Sequence, residues 1–371
     1  MRIVMFCHSL RSDWNHGNAH FLRGIVTELI ARGHDVTVYE PNDAWSVQNL
    51  VAERGPEALD AYTHAYPGLS SEAYGPDLDL DEALDGADMV LVHEWNEHDL
   101  VRRIGEHRAT VGGYILYFHD THHRSITDAA GVAAYDLRHY DAVLAFGAVI
   151  RDVYLERGWA QRAYTWHEAA DIRAFHPVLT SAHAGDLVWI GNWGDGERAA
   201  ELVEFLVEPV HSLGLRARVH GVRYPAEAQA LLADAGIEYA GWLPNYEAPA
   251  VFAEFGVTVH VPRGPYVRSL PGIPTIRVFE ALACGIPLVS APWNDVEGLF
   301  TPGFDYLVAN DGAEMRRHLR HVLHDAELAR TLTQHGLNTI LDRHTCGHRV
   351  DELLDITEQL APTASARMLS I

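Results

Sequence analysis

One rhythm constrains the fold of this chain more than any other feature. Short apolar runs alternate with amphipathic stretches along nearly its whole length. "RIVMF" (2–6) leads into a helical segment at about 17–32, whose apolar positions Leu22, Ile25, Val26, Leu29 and Ile30 keep one face. Gly33 stops that helix. The strands "DVTVYE" (35–40), "DMVLVHE" (88–94), "GYILYFHD" (113–120) and "AVLAFG" (142–147) follow. A second series runs through "DLVWIG" (186–191), "RARVHG" (216–221), "GIEYAGW" (236–242), "VTVHVP" (257–262), "IPLVS" (286–290) and "DYLVA" (305–309). The pattern predicts an α/β protein of two doubly wound, parallel-sheet, Rossmann-like domains facing across a cleft, with ligands at the carboxyl ends of the strands. Residues 41–86 are less regular and are expected to insert over the edge of the first sheet.

Composition narrows the chemistry. The 371 residues carry 51 acidic and 28 basic side chains, a net charge of −23, the reverse of a typical nucleic-acid binder. Every basic residue is arginine, because the chain holds no lysine. Schiff-base chemistry and a P-loop lysine are therefore excluded, and an anionic ligand must be met by Arg, His or backbone amides. Cys7, Cys284 and Cys346 are scattered and form no CxxC, which argues against a disulfide framework and a zinc ribbon. No stretch approaches transmembrane length, and "MRIVMFCHSL" reads as a first strand rather than a signal peptide. A cytoplasmic protein is the resulting expectation, with no membrane association evident. No GxGxxG follows the first strand, so the nicotinamide and flavin fingerprint is missing. A long polar loop ends instead at Gly17, where the first helix begins, flanked by His16 and His20.

The segment "TIRVFEALACGIPLVSAPW" (275–293) poses a question of its own. Glu280 sits on a short helix among Ile276, Phe279 and Ala283, where an unpaired carboxylate costs several kcal/mol. A structural pair with Arg277, three residues earlier, is one explanation. The wider sequence supplies another. "HGNAHFLRGIVTELIARGHDVTVYE" (16–40), "EAADIRAFHP" (168–177) and "LPGIPTIRVFEALACGIPLVSAP" (270–292) resemble the corresponding segments of bacterial GT-B glycosyltransferases. The similarity is to the CgeB-like spore-maturation branch and, more broadly, to GT4-like retaining enzymes, and it covers about residues 1–350. The resemblance implies the GT-B architecture and a glycosyltransferase that moves a sugar from a nucleotide-diphosphate sugar to an acceptor, with retention and without a metal. No cofactor is implied beyond the sugar nucleotide as co-substrate. In that family the glutamate before A-x-A-C-G-x-P accepts the ribose hydroxyls, and Glu280 holds that position. A second family glutamate is replaced here by Gly272.

Other candidates follow from the same reading. Arg198 lies after the glycine-rich turn in "WIGNWGDG" (189–196), which includes Gly191 and Asn192. With Arg263, Arg268 and Arg277 it is a candidate for the diphosphate. The loop 263–275 adds Ile273, Pro274 and Thr275 to the donor side, and Trp242 in "AGWLPN" is a candidate for the base. His119 and Asp120 end a strand, and the resemblance places that histidine beside the transferred sugar. His16, Gly17, His20 and Glu94 are acceptor-side or phosphate-side candidates. No metal site is expected, because His122 and His123 fit no standard ligand spacing.

On this reading residues 1–170 form an acceptor-side domain, 171–185 a linker, and 186–345 the nucleotide-sugar-binding domain. Residues 346–360 form a C-terminal helix packing back on the first domain, and 361–371 a disordered tail. The acceptor is a glycan, small molecule or protein, not a nucleic acid. Two alternatives stay open: an epimerase-type GT-B enzyme, or a GT-B-shaped binding or coat-assembly protein without turnover.

Overall fold

The computed structural model describes the backbone of residues 1–368 and the side chains of residues 1–361. The chain divides into two compact units, one of Met1–Glu168 with the final segment from Cys346, the other of Ala169–Thr345.

The first unit holds seven strands: β1 (Arg2–Phe6), β2 (Asp35–Pro41), β3 (Glu72–Tyr74), β4 (Met89–His93), β5 (Ile115–Asp120), β6 (Ala142–Ala145) and β7 (Ala163–Thr165). They form one sheet in the order β3-β2-β1-β4-β5-β6-β7, parallel throughout. β1 pairs on both sides, Ile3 facing Val36 and Met89. Helices cover both faces of such a sheet, so its central strands read as unbroken apolar runs: every residue of β4 and β5 is buried. The sheet's order reverses between β1 and β4, and a doubly wound sheet opens its ligand crevice at such a point.

The final helix, Cys346–Met368, belongs to this unit and packs on the first helix, Ala19–Ala31. Arg32 reaches Asp351 at 2.5 Å and the Gly347 carbonyl at 3.0 Å. Trp166 donates to the Arg349 carbonyl. The final helix runs on through Met368, into the segment 361–371 anticipated as a disordered tail, and residues 369–371 lie outside the described residues.

The second unit repeats the plan with β8 (Gly185–Ile190), β9 (Ala217–His220), β10 (Ile237–Gly241), β11 (Phe255–His260), β12 (Leu288–Ser290) and β13 (Leu307–Val308). Its order is β10-β9-β8-β11-β12-β13, again all parallel, with the reversal between β8 and β11. Leu187, Val219, Val257, Leu206 and Met315 form its core. The helix Ile276–Cys284 buries all of its residues except Arg277 and ends on Gly285, whose left-handed φ of 69° lets the chain turn straight into β12.

Three stretches depart from the sequence reading. Residues 41–86 contribute an edge strand, β3, after two helices, Trp45–Arg54 and Glu57–Ala65. Gly55-Pro56 separates those helices and hides their common periodicity. β7 is a three-residue edge strand, too short and too exposed to show alternation. The supposed loop 263–275 contains a helix, Gly264–Ser269, whose Gly-Pro start reads as a turn but sits at positions where proline is tolerated.

One buried ion pair fastens the loop after β1. Arg23, on the first helix, is 1% exposed; it bonds Asp13 at 2.9 Å and the Leu10 carbonyl at 2.7 Å, beneath the rings of Tyr62 and Tyr66. Replacing Asp13 with alanine leaves that guanidinium without its carboxylate, and the expected loss is about 3–5 kcal/mol. Urea unfolding reads it, and the double variant with Arg23→Met recovers much of the loss.

Candidate functional site

At the switch point of the second unit the sequence delivers a turn and several arginines. β8 ends in Ile190, and the chain then passes through Gly194, Asp195 and Gly196, all at positive φ (93°, 53° and 83°). This run of left-handed residues folds the loop back on itself. A Cβ at Gly194 would lie 2.8 Å from Arg198 Cγ, so the absent side chain lets Arg198 lie against the turn.

Arg198 is the residue before the short helix Ala199–Leu202. It is 9% exposed and donates to the carbonyls of Val261 (2.8 Å) and Asn192 (2.7 Å) and to Asn192 Oδ1 (3.0 Å). Its Nε is buried without a partner. Arg263 Nη2 reaches the same Asn192 Oδ1 at 3.0 Å, while its Nη1 pairs with Glu197 at 2.7 Å. Burial, with the neighbouring guanidiniums of Arg263 and Arg277, lowers the Arg198 pKa to about 9. The site thus holds more positive charge than its own carboxylates compensate. Arg268 is exposed, and its guanidinium curls back over Gly264 at the start of its own helix.

Glu280 is fully buried and bonded to Arg277, whose side chain is 28% exposed. The carboxylate does not face open solvent: a guanidinium covers it. The explanation by pairing with Arg277 is therefore realised in the structure. At the start of the same helix, Thr275 Oγ1 lies 3.1 Å from His260 Nε2, and His260 Nδ1 lies 2.9 Å from Ser290 Oγ. Ser290 donates its hydrogen to the Ala291 carbonyl at 2.7 Å, so its oxygen accepts from His260 Nδ1. His260 Nε2 then accepts from Thr275. Burial holds the His260 pKa at about 3, consistent with that neutral tautomer.

Gly272 has φ of 91°, and a Cβ placed there would lie 2.9 Å from Glu297 Oε1. A carboxylate thus lies against the position from which the sequence drops one, and it arrives from a separate segment that sequence spacing does not reveal. Ile273 and Pro274 are buried beside it. Trp242 is half-buried after the edge strand β10, two strands away from β8. Gly191 closes the end of β8: its amide donates to the His220 carbonyl and its own carbonyl accepts from Tyr224.

The first unit gathers a different chemistry at its strand ends. Glu94, after β4, and Asp120, the last residue of β5, share a hydrogen bond between their carboxyl groups. Asp120 also accepts from Tyr154 (2.7 Å) and from the His122 amide (3.0 Å), and Glu94 accepts from the Thr121 amide (2.9 Å). Asp120 is wholly buried and its oxygens are occupied inside the protein. Burial foremost, then the Asp120 charge, pushes the Glu94 pKa well above the usual carboxylate range.

His119 is 1% exposed, and its Nε2 has no partner. His16 is buried in the loop before the first helix with Gly17 beside it, and His20 is buried in that helix's first turn. His8, which the sequence reading passed over, is buried where the chain leaves β1, its ring stacked on Trp45. Its only signal was its place just past a strand's carboxyl end. Among the described residues no group of three or more His, Cys, Asp or Glu is placed to hold a metal ion, and no helix is long and apolar enough to cross a membrane.

The raised Glu94 pKa makes stability depend on pH. Above the ordinary value of 4.5 the folded protein keeps a proton that the unfolded chain releases, so stability falls as pH rises through that window. Glu94→Gln keeps the neutral, hydrogen-bonding form at every pH. Its melting temperature relative to the native protein should climb steadily from pH 4.5 to 8. A flat difference would show that Glu94 is ionised in the folded state.

Residues 198–355, which begin at Arg198, match a family model described as "Glycosyl transferase-like". No curated protein matches the chain in sequence. Among solved structures it is similar to sucrose-phosphate synthase from Thermosynechococcus elongatus (14% identity, 98% of this chain and 100% of that one, TM-score 0.65). It is also similar to Anabaena HepE in complex with UDP and glucose (13%, 98% and 99%, TM-score 0.66). A third is an alpha-glucosyltransferase in complex with UDP-glucose and DNA containing an abasic site (13%, 96% and 99%, TM-score 0.69). At such identities the likeness is one of fold: two Rossmann-like domains, each built on a parallel sheet, matching those of GT-B glycosyltransferase structures.

Proposed function

We propose that the protein is a glycosyltransferase whose second unit binds a nucleoside-diphosphate sugar, and that the diphosphate lies against Arg198, Arg263 and Arg277. The observation that carries this reading is the buried Arg198, with an unpartnered Nε and guanidinium neighbours that lower its pKa. A buried donor left unmade costs about 1–3 kcal/mol, and a ligand carrying two phosphates relieves both that cost and the crowding of like charge. The match of this segment to a glycosyl transferase-like family supports the reading, as do the UDP complexes among structures of the same fold.

The finer points rest on the resemblance. Glu280 would take the ribose hydroxyls once Arg277 swings to the phosphates, which turns the observed ion pair into the resting form of the site. Arginines rather than a metal would stabilise the departing diphosphate, and transfer would proceed with retention. The acceptor is a glycan, small molecule or protein. The net charge of −23 disfavours a nucleic acid, in contrast to the alpha-glucosyltransferase solved with DNA.

Titration calorimetry with UDP and with inorganic pyrophosphate tests the assignment. Arg198→Gln should weaken both ligands by about 10- to 100-fold, the loss of charge-assisted hydrogen bonds. Glu280→Gln should weaken UDP by about tenfold and leave pyrophosphate unchanged, because only UDP carries a ribose. If Glu280→Gln lowers unliganded stability and leaves UDP affinity intact, the carboxylate is a structural partner of Arg277 and nothing more. Release of UDP from UDP-glucose, with and without candidate acceptors, separates turnover from binding alone.

A further inference from the structure

The amino ends of the second sheet carry a pocket that the donor reading leaves unused. It lies where β8, β9 and β11 begin, is lined also from the helices Gly312–His324 and Ala326–Arg343, and has a volume of about 600 Å³. Small-molecule sites usually span about 300–1,000 Å³. Arg198 and the glycine-rich turn follow the opposite end of the same sheet, so the length of β8, about 16 Å, separates the two places.

The floor of the pocket is apolar. Leu213, Leu215, Leu323 and Ala329 pack on the core from one side and stay half-exposed on the other. Gly256, near the start of β11, leaves room for one of them: a Cβ there would lie 2.8 Å from Leu323 Cδ2. An apolar body seated on these side chains removes their open surface from water.

The mouth is polar, and its charge is not balanced from within. Arg320 is exposed there and, among the described residues, makes neither an ion pair nor a hydrogen bond. Its neighbours on the same helix are engaged: Arg317 meets Glu314 at 2.9 Å, and His321 meets Asp325 at 3.5 Å. His183, on the segment before β8, and His324, at the end of the helix, line the same mouth. The one carboxylate in the lining, Asp186, is already occupied. Its Oδ2 accepts from the Arg216 amide at 2.8 Å, and its Oδ1 lies 3.7 Å from the Arg216 guanidinium.

This combination selects the occupant. A guanidinium fork pairs with a carboxylate through two parallel hydrogen bonds. A phosphate monoester carries about −2 at neutral pH and brings its second charge toward Asp186. An ammonium head meets Arg320 as a like charge. We propose that this pocket binds an amphipathic monocarboxylate, its hydrocarbon or aromatic body on Leu213, Leu215, Leu323 and Ala329 and its acid head on Arg320. The site is separate from the donor site, and the proposal stands without the glycosyltransferase reading.

Titration calorimetry of the full-length protein with decanoate and with 4-phenylbutyrate, below micelle-forming concentrations, tests this. Decanol, decylamine and acetate are the comparisons. At least one of the two acids should bind one to one, at least about tenfold tighter than the alcohol, the amine or acetate. Saturating UDP and pyrophosphate should leave that affinity unchanged. Arg320→Gln should weaken the acid about tenfold and spare the alcohol, with the unliganded melting temperature unchanged, because the side chain has no partner to lose. Ala326 is exposed at the pocket's edge. Ala326→Trp should close the pocket to every probe, and Ala326→Ser should leave binding intact. Acid and alcohol bound alike, variants without effect, displacement of the acid by UDP, or no acid bound overturns the proposal. Failure of UDP itself to bind overturns the donor assignment instead and leaves the acid titrations to decide this pocket.

Discussion

Each sheet here is parallel throughout, and a parallel sheet must be covered by helices on both faces. Polar side chains on its central strands therefore have one inexpensive place to go, the ends of those strands. Several functional candidates obey this constraint, whereas Arg277 and Glu280 lie on the helix Ile276–Cys284. In the first unit β1, β4 and β5 end in His8, in His93 and Glu94, and in His119 and Asp120. In the second, β8 and β11 deliver the Asn192–Arg198 turn and His260. The reversal of strand order fixes where on each sheet those ends part to admit a ligand.

The same architecture carries opposite electrostatics in the two units. At the second sheet, guanidiniums outnumber the carboxylates that meet them, and the most buried of them is the least content: it loses hydration and gains like-charged neighbours. At the first sheet, charge is cancelled or suppressed. Two carboxyls share a hydrogen bond, the arginines are paired, and the imidazoles are neutral because burial makes protonation costly. A protein of net charge −23 thus concentrates unbalanced positive charge at one set of strand ends and confines neutral polarity to the other. In a chain without lysine, arginine's planar fork does all the cationic work, which favours geometry over mobile charge.

Much of this was legible beforehand, for physical reasons. A parallel sheet needs long apolar runs, and those runs stand out, so the strands were visible even where their ends shifted by a few residues. β3 and β7 were not, because a three-residue edge strand buries too little to leave a pattern. Arg198 was singled out beside the glycine-rich turn and Arg263 at the start of the loop 263–275, and Asn192 proves to be the acceptor that joins them. For Glu280, spacing identifies its neighbour Arg277 but not that the paired carboxylate is fully buried. His8 and Glu297 were missed because their significance comes from contacts across the fold, with Trp45 in one case and the backbone at Gly272 in the other.

The position of the Thr275 hydroxyl has one further consequence. It lies against His260 Nε2 and makes no cap bond to the amides of the helix Ile276–Cys284. Such a cap is worth about 1 kcal/mol. The helix that bears Glu280 therefore begins without a side-chain cap and with an unneutralised dipole, held in place by its buried flank instead of by its own end.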